Sequence, residues 1–249
     1  MVRLVTSYSR VDWSADGSLV TKTRPCAPDA RSRFRNELRV NLLLSHTRPP
    51  VLTPALVDFD VQRRQLTFEA VQGETLGPKY PSELSERSIR EVVELAGSLK
   101  DFDPRRRWLR SFSSPTRIRS AQRAGLITNT QTAQLHYVAE VAHRRLYFAH
   151  GDITARNVMT SPLGFTLIDW EWAGLYPEDY DLGFLWFSLV DVSEGRKQLE
   201  AIVGPPSSSF LLSALLIQLW HLQWFVAEPF RAKHFATRDE LLLRLDIKP

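Results

Sequence analysis

Three side chains that could take part in chemistry lie at the ends of predicted strands between residues 148 and 172. Asp152 and Asn157 share one polar loop, which follows an apolar segment that is typical of a strand. Asp169 ends the second strand of a predicted hairpin, whose turn at residues 161–164 contains a proline and a glycine. Because a hairpin folds the chain back on itself, we expect Asp169 to lie beside the loop.

The spacing of these residues is typical of phosphoryl transfer. His150, Asp152 and Asn157 fit the pattern His-x-Asp-x-x-x-x-Asn, in which the aspartate takes the proton of an acceptor hydroxyl and the asparagine binds a metal. Asp169 follows 12 residues after Asn157, where a second metal-binding aspartate is expected. Mg²⁺ prefers such oxygen ligands. An ordinary polar loop in a β-hairpin is the alternative, but the joint pattern favours a kinase site.

The same segment resembles the aminoglycoside phosphotransferase and choline kinase family. The family has His-Gly-Asp, four residues and Asn, then a strand that ends in Ile-Asp-Trp/Phe-Glu, and later Pro and Asp-Leu. The chain matches this pattern with His150-Gly151-Asp152, Asn157, Ile168-Asp169-Trp170-Glu171, Pro177 and Asp181-Leu182. It departs from the pattern at Thr154-Ala155, where many members have His-Pro.

The resemblance implies an α+β protein with a bilobal, protein-kinase-like fold. Residues 1–72 would form an N-terminal nucleotide-binding lobe with a small antiparallel sheet. Residues 73–249 would form a mostly helical C-terminal lobe that carries the catalytic and substrate-binding residues. The chain would transfer the γ-phosphoryl group of ATP or GTP, with Mg²⁺, to a hydroxyl group of a small molecule. An antibiotic, a sugar, an amino alcohol and a nucleoside all remain open as acceptors.

The resemblance also implies roles for individual residues of the C-terminal part. Asp152 would be the catalytic base, and Asn157 and Asp169 would bind Mg²⁺. His150 and Asp181 would have structural roles, with Asp181 bracing the backbone of the catalytic loop.

The nucleotide-binding residues are expected before residue 73. Lys22 ends a predicted strand and is the only lysine among the first 78 residues, so it is the candidate for contacting the α- and β-phosphates. Glu37, on a predicted helix, would pair with Lys22 as in kinases. The alternatives are a solvated lysine at a strand edge and a surface pair between Glu37 and Arg33. The backbone from Glu69 to Val71 would meet the adenine edge.

A glycine-rich loop over the phosphates is missing from the sequence. Gly17 is the only glycine before Gly73, and the segment Ser7-Tyr8-Ser9 is the candidate for a phosphate loop built without glycine. This departure leaves an alternative function open, that of a catalytically weak or non-catalytic nucleotide-binding protein with the same fold.

The acceptor is expected to be small. Asp181 follows only 12 residues after Asp169, which is too short an interval for the peptide-binding segment of a protein kinase. Glu171, Glu178 and Asp179 lie in this interval. Their carboxylates could bind a cationic group of the acceptor, or they could be ordinary acidic residues of a loop.

A basic cluster of seven arginines lies between residues 105 and 123. A solvated face is the simplest interpretation, and an anionic-substrate site or a nucleic-acid patch are the alternatives. A kinase directed at protein or nucleic acid would use such a patch. Because the chain has no RNA-binding motif, nucleic acid is not an expected partner.

The composition favours a cytoplasmic protein. Hydrophobic residues make up 43% of the 249 residues, which is enough for a sizeable core. The single cysteine excludes an intramolecular disulfide and fits a reducing compartment, and the N-terminus lacks the apolar run of a signal peptide. Residues 210–227, the most apolar stretch, contain polar side chains and are interpreted as a buried helix rather than a membrane span. The oligomeric state is left open.

Periodicity predicts the remaining elements. Strands are predicted at residues 3–8, 10–13, 18–23, 55–59 and 65–71. Helices are predicted at residues 29–45, 82–100, 130–146, 182–192, 206–227 and 238–245. Trp186, Trp220 and Trp224 are expected to be core residues, with a place in the substrate pocket as the alternative.

Overall fold

The computed structural model describes residues 3–5, 9–25, 29–104, 108–224 and 228–248. The strands in these ranges are β1 (Arg3–Val5), β2 (Arg10–Trp13), β3 (Leu19–Thr23), β4 (Leu56–Asp60), β5 (Gln65–Glu69), β6 (Glu74–Thr75), β7 (Leu146–Ala149), β8 (Val158–Ser161), β9 (Gly164–Leu167) and β10 (Gly174–Pro177). The α-helices are α1 (Ala30–Thr47), α2 (Glu86–Asp101), α3 (Ser114–Arg123), α4 (Asn129–Ala142), α5 (Tyr180–Ser188), α6 (Ser193–Val203), α7 (Ser208–Trp224) and α8 (Glu228–Arg244).

The N-terminal part is an antiparallel sheet of five strands in the order β1-β2-β3-β5-β4. The turn between β2 and β3 uses Gly17, whose φ of 71° suits the predicted Asp-Gly turn. Strand β3 lies at the centre of the sheet, where Lys22 is opposite Val11 of β2 and Leu66 of β5. The sheet therefore holds the backbone of Lys22 from both sides.

Helix α1 packs against this sheet through its apolar residues. Phe34 of α1 packs with Leu66 and Phe68 of β5 in a small apolar cluster. The helix begins after Asp29, as predicted, but the side chain of Asp29 makes no capping hydrogen bond and pairs with Arg33 instead. This side of α1 also carries Glu37, which pairs with Lys22 of β3, while Val40, Leu43 and Leu44 of α1 pack into the main core.

The helix predicted over residues 130–146 ends at Ala142, because the chain then turns into a strand. Helix α4 begins with a capping box formed by Thr128 and Gln131. Strand β7 follows and pairs antiparallel with β10, with Ala149 opposite Gly174. Strand β7 leads directly into the polar loop that begins at His150.

Strands β8 and β9 form the predicted hairpin, with Val158 opposite Leu167. Strand β6 extends this hairpin into a three-stranded sheet in the order β6-β8-β9. Gly73, just before β6, lies directly against β8. It has a φ of 143°, and a Cβ atom there would be 1.7 Å from the carbonyl oxygen of Thr160. Only glycine fits this close contact between two backbones.

The C-terminal part is mostly helical, and helix α7 forms its centre. Nearly the whole circumference of α7 is buried, which confirms the prediction of a core helix. Helix α6 was not predicted, since charged residues such as Glu194 and Lys197 interrupt its apolar pattern. Helix α8 extends over Glu228–Arg244 and is longer than the predicted segment 238–245. In the part of the chain that the structure describes, each helix is too short or too polar to cross a membrane.

Candidate active site

The polar loop after β7 is held in place by one buried carboxylate. Asp181, in the first turn of α5, accepts hydrogen bonds of 2.8 Å from the backbone N–H groups of His150 and Gly151. Burial raises the pKa of Asp181. The ring of His150 donates from Nε2 to the carbonyl oxygen of Ile168 at 2.9 Å. His150 and Asp181 thus connect the loop to β9 and α5, the positions that a structural role requires.

Gly151 fixes the path of the loop between these two contacts. Its φ is 79°, and a Cβ atom on it would lie 2.5 Å from the carbonyl oxygen of Trp172 and 2.8 Å from the hydroxyl of Tyr176. Both the conformation and the lack of space therefore require glycine at this position.

Asp152 and Asn157 lie together at the end of the loop and are both buried. Nδ2 of Asn157 donates to the Oδ2 atom of Asp152 at 3.0 Å and to its carbonyl oxygen at 2.8 Å. Among the described residues, the Oδ1 atom of Asp152 has no hydrogen-bond partner. Two cations are near the same carboxylate, with Lys79 at 3.6 Å and Arg156 at 3.7 Å.

Asp169 lies beside Asn157, as the predicted hairpin requires. The backbone N–H of Ile168 donates to the carbonyl oxygen of Asn157 at 3.0 Å, and Asp169 follows directly. Asp169 has left-handed backbone geometry with a φ of 65°, which aspartate tolerates better than most residues. Burial alone would raise the pKa of Asp169, but Lys22 and Arg24 outweigh it and hold this pKa well below its usual range.

Lys22, Glu37 and Asp169 form one ionic cluster, in which Lys22 and Glu37 are buried and Asp169 is half-buried. Nζ of Lys22 lies 2.8 Å from Oε1 of Glu37 and 2.7 Å from Oδ1 of Asp169. Burial favours the neutral amine, but the two carboxylates outweigh it and raise the pKa of Lys22. Glu37 therefore pairs with Lys22, while Arg33 pairs with Asp29 and lies 3.8 Å from Glu171.

Arg24 is a central residue of this cluster that sequence reasoning missed. Its side chain is only 3% exposed, and its NH2 group lies 2.8 Å from Oε2 of Glu37 and 3.8 Å from Oδ1 of Asp169. It also contacts Oε2 of Glu171. A signal was present in the sequence, because Arg24 directly follows β3 and lies two residues after Lys22, and residues two apart in extended backbone share a face.

Three carboxylates of the cluster, those of Glu37, Asp169 and Glu171, have oxygen atoms within 4.8 Å of one another. Lys22 and Arg24 lie between them and balance part of their charge. Burial and the nearby Asp169 raise the pKa of Glu171 to about 7. Glu171 is therefore a buried member of the ionic cluster rather than a free surface acid.

A second missed residue positions the segment that follows Asp169. Nδ2 of Asn36, on α1, donates to the carbonyl oxygens of Glu171 at 3.0 Å and of Ala173 at 2.9 Å. Glu171 lies in the short 3₁₀ helix Trp170–Trp172, and Ala173 directly follows it. Asn36 thus connects the helix that carries Glu37 to the segment that carries Asp169.

A cavity of about 210 Å³ opens beside Asp152. Its walls are largely aromatic, with Trp172, Tyr180 and Trp220 among them. Glu171 also borders the cavity. Trp220 borders the cavity, which is the alternative given for these tryptophans. Trp186 is buried as expected of a core residue, but the expectation of a core position is wrong for Trp224, which is 64% exposed.

The structure does not bring Glu178 and Asp179 to this cavity. Glu178 pairs with Lys100, and Asp179 accepts a hydrogen bond of 2.8 Å from the hydroxyl of Ser207. Both residues border a different, smaller depression next to α2 and β7. They follow β10, and this strand carries them away from Asp152 to the start of α5.

The described arginines of the cluster do not all lie on an exposed face. Arg105, Arg106 and Arg107 lie outside the described residues, and Arg119 and Arg123 are exposed on α3. Arg117, on the same helix, is half-buried and borders the cavity. The simple interpretation as a solvated face therefore fits Arg119 and Arg123 but does not fit Arg117.

The strand end expected at the adenine edge has one free backbone position. The N–H of Glu69 donates to the carbonyl oxygen of Ala55, and the N–H of Ala70 donates to the carbonyl oxygen of Ser18, both at 2.9 Å. Among the described residues, the backbone of Val71 makes no hydrogen bond. The candidate phosphate loop is not placed, because Ser7 and Tyr8 lie outside the described residues.

Residues 6–204 of the chain match the phosphotransferase enzyme family. The chain belongs to this family. The match covers strands β2 to β5 of the sheet, the ionic cluster, the polar loop and the hairpin that carry the site, and it confirms the resemblance found in the sequence. No curated protein sequence matches this family member.

Solved structures of the same fold align with nearly the whole of this phosphotransferase family member. Choline kinase LicA from Streptococcus pneumoniae aligns with a TM-score of 0.69 and 14% identity, over 98% of this chain and 92% of that chain. A choline/ethanolamine kinase family protein from Mesorhizobium loti aligns with a TM-score of 0.68 and 15% identity, over 100% of this chain and 88% of that chain. Aminoglycoside phosphotransferase APH(4)-Ia aligns with a TM-score of 0.66 and 16% identity, over 99% of this chain and 94% of that chain.

These similarities confirm the predicted kinase-like α+β fold, with an antiparallel sheet followed by a mostly helical part. Other similar structures are complexes with AMP, ADP or GDP.

Proposed function

We propose that this phosphotransferase family member transfers the γ-phosphoryl group of ATP or GTP to a hydroxyl group of a small molecule. The observation that carries the proposal is the environment of the Oδ1 atom of Asp152. This oxygen is buried and accepts no hydrogen bond from the described residues, although the ammonium group of Lys79 lies 3.6 Å from it, and Asp152 borders the cavity. A buried oxygen without a partner is unfavourable, and a hydroxyl group in the cavity would supply one.

Asp152 would act as the general base. Its carboxylate would accept a hydrogen bond from the acceptor hydroxyl and take the proton as the oxygen–phosphorus bond forms. Asn157 holds the Oδ2 atom through its amide group, so Oδ1 is the oxygen that faces the acceptor. Because the transition state of phosphoryl transfer is loose, the protein contributes mainly positioning and charge stabilisation.

Asn157 and Asp169 would hold Mg²⁺. The amide nitrogen of Asn157 is used by Asp152, which leaves its amide oxygen for a cation. The lowered pKa of Asp169 keeps its carboxylate ionised. Both are oxygen ligands of the kind that Mg²⁺ prefers, so the residues present fit the ion. When bound, the ion would neutralise charge on the phosphate oxygens.

The nucleotide would lie between the N-terminal sheet and this loop. Lys22, held by Glu37, would contact the α- and β-phosphates. The backbone of Val71, two residues after Glu69 at the end of β5, makes no hydrogen bond within the part of the chain that the structure describes, and it would meet the base. Nucleotides bound in similar structures support this assignment.

The proposal also divides the chain into lobes of residues 1–72 and 73–249. Two observations support this boundary. Strand β5, in the N-terminal sheet, ends at Glu69, and β6 already pairs with β8 of the second sheet. Gly73 lies between them. We also propose a cytoplasmic location, which rests on the single cysteine of the sequence.

The non-catalytic alternative has less support. Asp152, Asn157 and Asp169 are assembled at one place, and Lys22 reaches them from the sheet. A protein that only binds nucleotide would have no need for a buried carboxylate oxygen that faces a separate cavity. The small size of that cavity also favours a small acceptor over a protein or a nucleic acid.

The test is transfer from γ-labelled ATP and GTP to a panel of hydroxyl compounds, with wild type and Asp152→Asn. We expect labelled product from wild type. The variant should lose about 10²- to 10⁴-fold in turnover, which is the usual contribution of a general base, while its affinity for nucleotide stays unchanged in calorimetry. Asp58→Asn, an exposed residue on β4, is the control. Wild-type turnover by Asp152→Asn would refute the assignment of the base.

A further inference from the structure

The cavity beside Asp152 has an excess of positive charge. Four basic residues border it, and they are Arg33, Lys79, Arg117 and Arg156. The acidic residues on its border are Asp152 and Glu171. With both carboxylates ionised, these six described residues have a net charge of +2.

Neither carboxylate is placed to bind a cationic acceptor. Glu171 contacts the buried guanidinium of Arg24 and lies 3.8 Å from Arg33. Asp152 has Lys79 at 3.6 Å and Arg156 at 3.7 Å. An ammonium group in the cavity would therefore meet basic side chains before it met an available acid.

Arg117 is the basic residue best placed to bind an anion of the acceptor. Among the described residues it has no carboxylate within 4 Å, and its guanidinium lies 4.5 Å from the ring centre of Trp220. It makes no contact with Lys22 or Asp169, which belong to the proposed phosphate site. Burial and then Lys79 are the main causes that lower the pKa of His221, and Arg117 adds to them. This side of the cavity is therefore positive.

The same side has flat apolar surface. The rings of Trp172 and Trp220 lie 5.5 Å apart in an edge-to-face arrangement. The guanidinium groups of Arg33 and Arg110 are each 5.0 Å from the ring centre of Trp172. Aromatic rings paired with arginine suit a planar ligand that also carries negative charge.

We propose that the acceptor is a hydroxyl compound with a planar ring and an anionic group, a carboxylate or a phosphate. The ring would lie against Trp172 and Trp220, and Arg117 would bind the anion. The hydroxyl would face the Oδ1 atom of Asp152. This inference rests on the proposed function, whose catalytic base it uses. It distinguishes this chain from kinases whose acceptors are cationic amines.

The test uses four alcohols that share one ring and one hydroxymethyl group and differ only in the para substituent. They carry a carboxylate, a phosphate, a carboxamide or an aminomethyl group. Binding is measured by quenching of tryptophan fluorescence, and transfer is measured separately with γ-labelled ATP. We expect at least one anionic compound to bind about tenfold more tightly than the amine, since a charge-assisted hydrogen bond has about this effect. The carboxylate and phosphate arms show which anion is preferred.

Arg117→Gln should weaken binding of the preferred anion about tenfold and leave binding of the carboxamide unchanged. Arg117→Lys should restore part of the affinity, and thermal unfolding confirms that each variant is folded. Arg119→Gln is the matched control, because Arg119 is exposed on the same helix. Tighter binding of the amine, no binding of any compound, or no effect of Arg117→Gln on the anion would overturn the inference.

The two readouts separate this inference from the proposed function. If the anions bind through Arg117 but no alcohol is phosphorylated, the charge assignment of the cavity stands and the proposed function fails. If choline or an aminoglycoside is phosphorylated in preference to the anions, the proposed function stands and this inference fails.

Discussion

The ammonium nitrogen of Lys22 lies 2.7 Å from the Oδ1 atom of Asp169. In the proposed function one of these residues contacts phosphate and the other binds Mg²⁺, and in this structure each is an ionic partner of the other. A nucleotide with Mg²⁺ would bring a cation to Asp169 and phosphate oxygens to Lys22. Both charges would then exchange one partner for another without being left unpaired.

This exchange predicts a metal-dependent stabilisation by nucleotide. ATP at a hundredfold excess over its Kd stabilises a folded protein by about 2.7 kcal/mol, which corresponds to a rise in Tm of about 5–10 °C for a chain of this length. We expect that rise in wild type with ATP and Mg²⁺. In Asp169→Asn the Mg²⁺-dependent part should be lost, and Asp58→Asn should behave like wild type. An equal Mg²⁺-dependent rise in Asp169→Asn would contradict the assignment of this ligand.

Arg24→Gln should destabilise the fold strongly. The substitution leaves the carboxylates of Glu37 and Glu171 buried without one of their cations, and breaking a buried pair in this way costs about 3–5 kcal/mol. The free energy of unfolding in urea measures the loss. Arg10→Gln is the control, because Arg10 is an exposed arginine in the same sheet and its pair with Asp12 should contribute at most about 1 kcal/mol.

A second substitution tests whether the loss comes from charge. In Arg24→Gln the further change Glu171→Gln removes one uncompensated carboxylate, and part of the lost stability should return. The two substitutions should therefore be non-additive, as expected for residues in contact. Additive losses would show that Arg24 stabilises the fold by packing alone.

The local part of the site could be predicted from the sequence. The loop with Asp152 and Asn157 and the hairpin that ends near Asp169 lie in one short segment, so residue spacing and turn residues were enough to bring them together. The pair of Lys22 and Glu37 was also foreseen, because periodicity indicated the strand and the helix that carry them and the resemblance to kinases implied the pairing.

The parts that depend on distant packing could not be predicted. Whether Glu178 faces the cavity depends on the path of β10 and on Lys100 of α2, and no local pattern encodes either of them. Lys79 lies in an irregular segment, and no local pattern indicates that its ammonium group comes within 3.6 Å of Asp152. The helix before β7 was predicted too long, because an apolar stripe does not reveal where a helix gives way to a strand.

Acid should destabilise the protein through His143. Its Nδ1 atom is 2.6 Å from the hydroxyl of Ser114, and burial lowers the pKa of His143 from 6.5 to about 4. Between these two values the unfolded chain binds a proton that the folded protein does not, so stability falls as the pH falls through this window. The loss is roughly 3 kcal/mol in total.

Urea unfolding at a series of pH values measures this effect. His143→Gln should reduce the dependence on pH between 6.5 and 4 by up to about 1.4 kcal/mol per pH unit. His46→Gln, an exposed residue of α1, should leave the dependence unchanged. Some dependence should remain in His143→Gln, since burial also lowers the pKa of His221 and of His234. An unaltered slope in His143→Gln would show that His143 titrates alike in the folded and unfolded chain.

Gly151→Ala should reduce the turnover of the folded enzyme, in addition to any loss of stability. The added Cβ would lie 2.5 Å from the carbonyl oxygen of Trp172, so the loop must move, and Asp152 is its next residue. A displacement of about 1 Å at a catalytic group can reduce turnover about 10²-fold. The matched control is Gly125→Ala, because Gly125 has a similar φ of 69° and open space around it. It should lose about 1 kcal/mol from backbone strain and keep its turnover. Equal turnover in the two variants would show that the position of this loop backbone does not control the base.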